Sequence, residues 1–123
     1  MEASYQVPYP PSVNHYWRSV GGRMLISKEG RAFRRKVLAI LGRIRAEPMD
    51  GDLSIEIVVY PPDRRRRDVD NVLKSLLDAL EKGGAYHDDS QIKRLTIEKR
   101  QPVKGGHTTV KLQTYKEPQA CHA

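Results

Sequence analysis

The sequence predicts one α+β domain, with two helices packed on a mixed, mostly antiparallel sheet. Three observations predict it. Leu53-Ser54-Ile55-Glu56-Ile57-Val58-Val59-Tyr60 alternates apolar and other residues as a half-buried strand does. Two stretches, near residues 27–45 and 68–82, repeat apolar side chains at helical spacing. Two further alternating runs, around Lys93–Arg100 and Thr108–Tyr115, close the chain and read as a hairpin. The 123 residues fit a single core without staples. No repeat or interior linker divides them, so residues 1–115 are read as the domain and 116–123 as a loose tail.

In chain order, Tyr5-Gln6-Val7-Pro8-Tyr9 predicts a first strand, and Pro8 places it at an edge or ends it early. Pro10-Pro11-Ser12-Val13-Asn14 is a loop, because proline has no N–H for a ladder and Ser and Asn bond their own backbone. Tyr16 and Trp17 follow beside Arg18; the aromatic pair suits stacking on unpaired bases or covering the sheet, and packing is the preferred role for Trp17. Gly21-Gly22 is a tight turn, with Arg23–Ile26 a short returning strand. Ser27 is the expected N-cap of the first helix, and Glu29 favours its first turn. Phe33, Val37, Ile40, Leu41 and Ile44 form its apolar stripe. The second helix is expected from about Asp68 to Lys82, with Val69, Leu73, Leu76, Leu77 and Leu80 inward and Gly83-Gly84 as its stop.

The net charge is +7, from 22 Lys and Arg against 15 Asp and Glu. That balance favours a polyanion as partner. Between Glu29 and Glu47 the first helix carries Arg31, Arg34, Arg35, Lys36, Arg43 and Arg45 and no acid, which suits a nucleic-acid backbone. Cys121 is the sole cysteine, so no intrachain disulfide forms and a reducing cytosol is the expected setting. No apolar run approaches a membrane span and no signal-peptide core opens the chain, so a soluble protein with no membrane partner is expected.

The chemistry concentrates in Asp63-Arg64-Arg65-Arg66-Arg67-Asp68-Val69-Asp70-Asn71, with Lys74 three residues further on. In extended chain Asp68 and Asp70 point to one side. Asp88-Asp89, brought back by the turn after the helix, would close a site of hard oxygen ligands of the kind Mg²⁺ and Mn²⁺ prefer. Two carboxylates ~4 Å apart repel by about 1 kcal/mol in water and ~4 kcal/mol at an effective dielectric of 20. A metal relieves that repulsion, as can Arg67 and Lys74. Lys74 follows Asp70 by one helical turn, where it can hold that carboxylate, orient water or stabilise charge on a phosphate; Asp78, another turn along, is expected in solvent. The four arginines would draw a phosphate backbone onto acids that alone repel it.

Each feature also has an ordinary explanation: an Asp before a helix is often a cap, an acidic pair a turn, an arginine run a solvated loop. Together they point to metal-dependent phosphodiester hydrolysis. His87 abuts the acidic pair but forms no zinc-like spacing with His15, His107 or His122. No phosphate-binding glycine loop and no Ser/His/Asp ordering is present.

These strings resemble the RusA family of Holliday junction resolvases, small endodeoxyribonucleases frequent in phages and prophages. The resemblance runs through Pro10-Pro11-Ser12-Val13-Asn14 with Tyr16-Trp17-Arg18, Ser27-Lys28-Glu29-Gly30 and Pro62 to Asn71 with Lys74. It continues in Asp78-Ala79-Leu80, Asp88-Asp89-Ser90-Gln91-Ile92 and a closing Lys104-Gly105-Gly106 hairpin. It implies a homodimer that nicks four-way DNA junctions symmetrically with Mg²⁺ or Mn²⁺, in the cytoplasm of a bacterial or phage-infected cell, at the nucleoid. By position it implies Asp68, Asp70 and Asp89 as metal-site acids with Asp88 beside them, and Lys74 as the essential lysine. Arg64, Arg65, Arg66, Arg67, Asn71, Asn14 and Arg18 become DNA contacts. Two alternatives stay open: a nuclease for other branched DNA or RNA, and a non-catalytic nucleic-acid binding module.

Overall fold

A computed structural model describes residues 1–118. Cys121 and His122 lie outside the described residues. The strands are β1 (Glu2–Val7), β2 (Trp17–Val20), β3 (Arg23–Ile26), β4 (Leu53–Tyr60), β5 (Ile92–Lys99) and β6 (His107–Thr114); the helices are α1 (Val13–Tyr16), α2 (Lys28–Arg43) and α3 (Leu73–Lys82). A 3₁₀ turn, Val69–Val72, leads into α3, and another, Asp89–Gln91, leads into β5.

β4 organises the fold. Its alternating Leu53, Ile55, Ile57 and Val59 are fully buried, whereas Glu56 on the opposite face is exposed. Both edges of β4 are therefore worth pairing. β6 takes one, antiparallel, with Ile57 opposite Val110 and Ile55 opposite Leu112. β5 takes the other, parallel, with Ile55 opposite Leu95 and Ile57 opposite Ile97. The sheet order is β1-β6-β4-β5. The last two strands thus do not form the expected hairpin: both select β4, and the turn at 101–106 carries the chain across its end. β1 is an edge strand ending before Pro8, as the sequence predicts.

The α2 helix starts at Ser27, whose Oγ accepts the Gly30 N–H at 2.9 Å. Phe33, Val37 and Leu41 are buried beneath it, Ile40 is partly buried, and Ile44 is exposed at the helix end rather than continuing the stripe. The α3 helix buries Leu76, Ala79 and Leu80, with Leu73 and Leu77 half-buried. The two helices close on each other at Gly83, where a Cβ would stand 2.5 Å from Leu41 Cδ1. β2 and β3 form a separate two-stranded ribbon on a Gly21-Gly22 turn, both glycines with positive φ. Trp17 at its base packs against the core, edge-on to the buried Tyr16 ring at 4.9 Å.

A consequence for function lies in β4-α3-β5, two parallel strands joined through a helix. Such a unit has its two connections at opposite ends of the sheet. Asp68 and Asp70 are in the first connection, Asp88 and Asp89 in the second.

Candidate active site

The arginine loop is folded by its own acid. Asp63 Oδ1 accepts the Arg65 N–H at 2.9 Å and Arg67 Nη1 at 2.6 Å. The Arg67 guanidinium, then the Arg65 N–H, hold the Asp63 carboxyl down at about 2. Arg67 also lies over the Tyr9 ring at 5.7 Å, while Lys99 Nζ donates to the Arg67 carbonyl at 2.8 Å. Arg67 is thereby a fastener of the loop, with a side chain only 22% exposed. Arg64, Arg65 and Arg66 are exposed, Arg65 at 83%.

The next residues present two carboxylates with little to hold them. Asp68 occupies the N-cap position of the 3₁₀ turn, but its side chain caps nothing; only its carbonyl works, accepting the Asn71 N–H at 3.2 Å. Asp70 follows inside that turn, also exposed. The neutralising partners expected for them are elsewhere: Arg67 binds Asp63, and Lys74, exposed on α3, joins no ion pair among the described residues. Asn71 is half-buried, whereas Asn14 on α1 and Arg18 on β2 are exposed.

The second acidic stretch divides its labour. Asp88 is a capping residue: its carboxylate accepts the Ser90 N–H at 2.9 Å, and Gln91 Oε1 accepts the Asp88 N–H at 2.9 Å. The bonds to Ser90 lower its pKa. Gln91 also donates to the Met49 and Gly51 carbonyls at 2.9 and 2.8 Å, which ties this turn to the start of β4. Asp89 differs. Partial burial of its carboxyl, then Glu81, Asp78 and Asp88, raise its pKa, against a bond from the Tyr86 hydroxyl. Its N–H donates to Glu81 Oε1 at 2.8 Å. His87 stands in solvent, paired with Asp50 at 2.7 Å.

Asp89 therefore sits against the last turn of α3, and Asp70 precedes its first. Ten helical residues span ~15 Å, and the eight residues of β5 beside them roughly 25 Å. The turn after the helix does not bring Asp88-Asp89 back to Asp68 and Asp70 within one chain. Among the described residues, no three His, Cys, Asp or Glu side chains gather closely enough to hold a metal ion. Asp68 and Asp70 nevertheless have the chemistry for a hard divalent cation: exposed, uncapped carboxylates two residues apart, next to three solvent-facing arginines.

One cluster was not expected. Asp78, placed in solvent by the sequence reading, is bound by Arg34 of α2 at 2.7 Å and by the Tyr16 hydroxyl. Burial and the bond to Asp78 push the Tyr16 phenol up to about 12. In the sequence Asp78 stood out only as a residue eight positions after Asp70 on one helical face and as part of a string that carries the resemblance; nothing local indicated Arg34, 44 residues earlier. No helix among the described residues is long and apolar enough to cross a membrane.

Comparison with known proteins bears on what such a site does. Residues 8–113 match the family model described as "Endodeoxyribonuclease RusA". The chain is 37% identical over 112 residues to the crossover junction endodeoxyribonuclease rusA of Enterobacteria phage HK97, covering 90% of this chain and 93% of that one. It is 40% identical over 104 residues to the protein of the same name from Shigella sonnei (strain Ss046), covering 84% and 87%. With the Enterobacteria phage 82 protein it shares 42% over 101 residues, covering 81% and 84%.

Proposed function

The chain belongs to the RusA family of endodeoxyribonucleases, and on that premise we propose that it resolves four-way DNA junctions by paired, symmetric phosphodiester nicks in recombination and repair. The observation that carries the reading is the condition of Asp68 and Asp70. Among the described residues they cap no N–H and pair with no cation, and they lie close after three exposed arginines. A merely structural acid at a helix start would be bonded to the N–H groups in front of it.

In this reading Asp68 and Asp70 hold a divalent ion, Mg²⁺ or in its place Mn²⁺. Such an ion, when bound, neutralises phosphodiester oxygens and lowers the pKa of a coordinated water. The chain supplies the rest. Arg64, Arg65 and Arg66 draw the backbone toward carboxylates that would otherwise repel it. Lys74, one turn beyond Asp70 and in no ion pair among the described residues, offers its ammonium to charge growing on the phosphate. Asn14, Arg18 and Asn71 extend the DNA-contacting surface, and the work is done in the cytoplasm of a bacterial or phage-infected cell.

The same geometry supports a homodimer. One chain keeps Asp89 at the far end of α3, and two opposed strands need two equivalent sites. Among the described residues β5 is an edge strand with no partner on its outer side, and Leu95 and Ile97 along it are only half-buried. Two copies joined antiparallel through β5 would set the start of one strand beside the end of the other. The second copy's Asp89 would then approach the first copy's Asp68 and Asp70. Asp88 is occupied as a cap and keeps a supporting role.

The test is a labelled four-way junction incubated with Mg²⁺, Mn²⁺ or EDTA. Symmetric nicks near the crossover in either metal, absent in EDTA, support the proposal. Tight binding with intact strands in both metals would indicate a binding module instead.

A further inference from the structure

Away from the carboxylates, exposed apolar and cationic side chains coincide on the ribbon of β2 and β3. Val20, Met24 and Leu25 are 42%, 65% and 42% exposed. Arg18 and Arg23 are exposed beside them, and residues 17–26 include no acid. The strand pairing sorts these side chains by face. Trp17 opposes Ile26 and both pack on the core, so the pairs Arg18 with Leu25 and Val20 with Arg23 face outward. On that face the two apolar side chains are diagonal neighbours, as are the two arginines. The root of the ribbon is fixed. The Ser27 N–H donates to the Tyr16 carbonyl at 2.8 Å, and Arg31 Nη1 donates to the Ile26 carbonyl at 3.1 Å. Tyr16, directly before β2, binds Asp78, which follows Lys74 by one turn of α3. The ribbon is therefore rooted beside the turn of α3 next to the lysine assigned above to strand breakage.

We propose that this outward face lies in the major groove of a duplex arm, with Val20 and Leu25 against thymine methyl groups and Arg18 and Arg23 on phosphates. It rests on the reading that the chain acts on branched DNA. Two arginines without an acid favour a polyanion over an apolar protein partner. The major groove, about 12 Å wide, admits a two-stranded ribbon, and the minor groove is about half that width. The thymine methyl is the apolar group that base pairs present in the major groove. Arg18 and Arg23 stand on different strands of the ribbon, so each can reach one lip of the groove, where its fork matches a phosphate. Four residues of strand span ~13 Å, or about four base pairs at ~3.4 Å each. The ribbon would thus hold an arm beside the cut, whatever base stands at the crossover.

Deoxyuridine pairs as thymine does but lacks the methyl, which makes the contact testable. Gel-shift titrations in EDTA, where no strand is cut, use junctions with one constant crossover sequence and thymine along all four arms. Deoxyuridine then replaces thymine in one window of about four base pairs at a time. The wild-type chain should bind about fourfold more weakly for each methyl it covers, at one distance from the crossover and no other. Val20→Ser with Leu25→Ser should bind both arm types alike, and Arg23→Ala should lower the salt slope by ~1 per ribbon. That pattern upholds the ribbon contact; if wild type then nicks in no metal, only the nuclease reading falls. Equal wild-type affinity for both arm types in every window would overturn the ribbon contact alone, even with normal nicking. A methyl effect that survives the double variant would overturn it, as would a double variant that passes from dimer to monomer, which would make the ribbon a contact between copies.

Discussion

Tyr16 and Asp78, 62 positions apart in sequence, are joined by a hydrogen bond from the phenol to the carboxylate, and Arg34 binds the same carboxylate at 2.7 Å. The three come from α1, α3 and α2, so one acid fastens both neighbouring elements to the helix that carries Lys74. Asp78→Ala would leave a half-buried guanidinium and a buried phenol without their acceptor. Unmade partners of this kind cost about 1–3 kcal/mol. A lowered urea midpoint with an unchanged slope is the expected result; an unchanged midpoint would mean that water replaces the carboxylate without loss.

The same bond gives a pH dependence. Tyr16 holds its proton to about 12, against 10.0 for an ordinary tyrosine, chiefly through burial and then through Asp78. Between those values the unfolded chain has released a proton that the folded chain keeps. Stability from this group is thus complete below pH 10 and lost as the pH rises through about 12. Tyr16→Phe should shallow the fall in denaturation midpoint across that window.

The four arginines should separate into two kinds. Arg65→Ala with Arg66→Ala should weaken junction binding and reduce the slope of log K against log salt by ~1 to 2. Arg67→Ala removes the clamp on Asp63 and the cover on Tyr9, so its first effect should be a lower thermal midpoint. Equal salt slopes for the double variant and wild type would place Arg65 and Arg66 away from DNA.

Asp70→Asn removes one exposed carboxylate that holds no other side chain among the described residues. Stability should stay within about 0.5 kcal/mol of wild type, nicking should fall below detection, and junction binding should hold or tighten because a negative charge near phosphate is gone. Circular dichroism with gel-shift assays checks all three; joint loss of folding and binding would make Asp70 structural.

Much of this was legible in the sequence, and what was not has a common cause. The limits of β4, the Ser27 cap and the strand end at Pro8 are written in residues within a few positions of where they act. The pairing of β5 and β6 is not, because both runs alternate weakly and each was free to choose the other until β4 offered two better edges. The Asp68 carboxylate that declines to cap and the Asp88 carboxylate that does cap look alike in sequence. They differ by whether Gln91 and the β4 start are present to complete a box. The Arg67 bond to Asp63 was equally hidden, because that acid, four residues earlier, looked like an ordinary loop residue.

In the proposed dimer, acids at opposite ends of α3 serve one cutting centre, supplied by two copies of the chain. Asp70→Asn and Asp89→Asn chains, each inactive alone, can be mixed, unfolded, refolded together and given a labelled four-way junction with Mg²⁺. Nicking should return, on one strand per junction, because each mixed dimer contains one centre with both wild-type acids. A mixture as inactive as its components, with mixed dimers present by mass spectrometry, would contradict it.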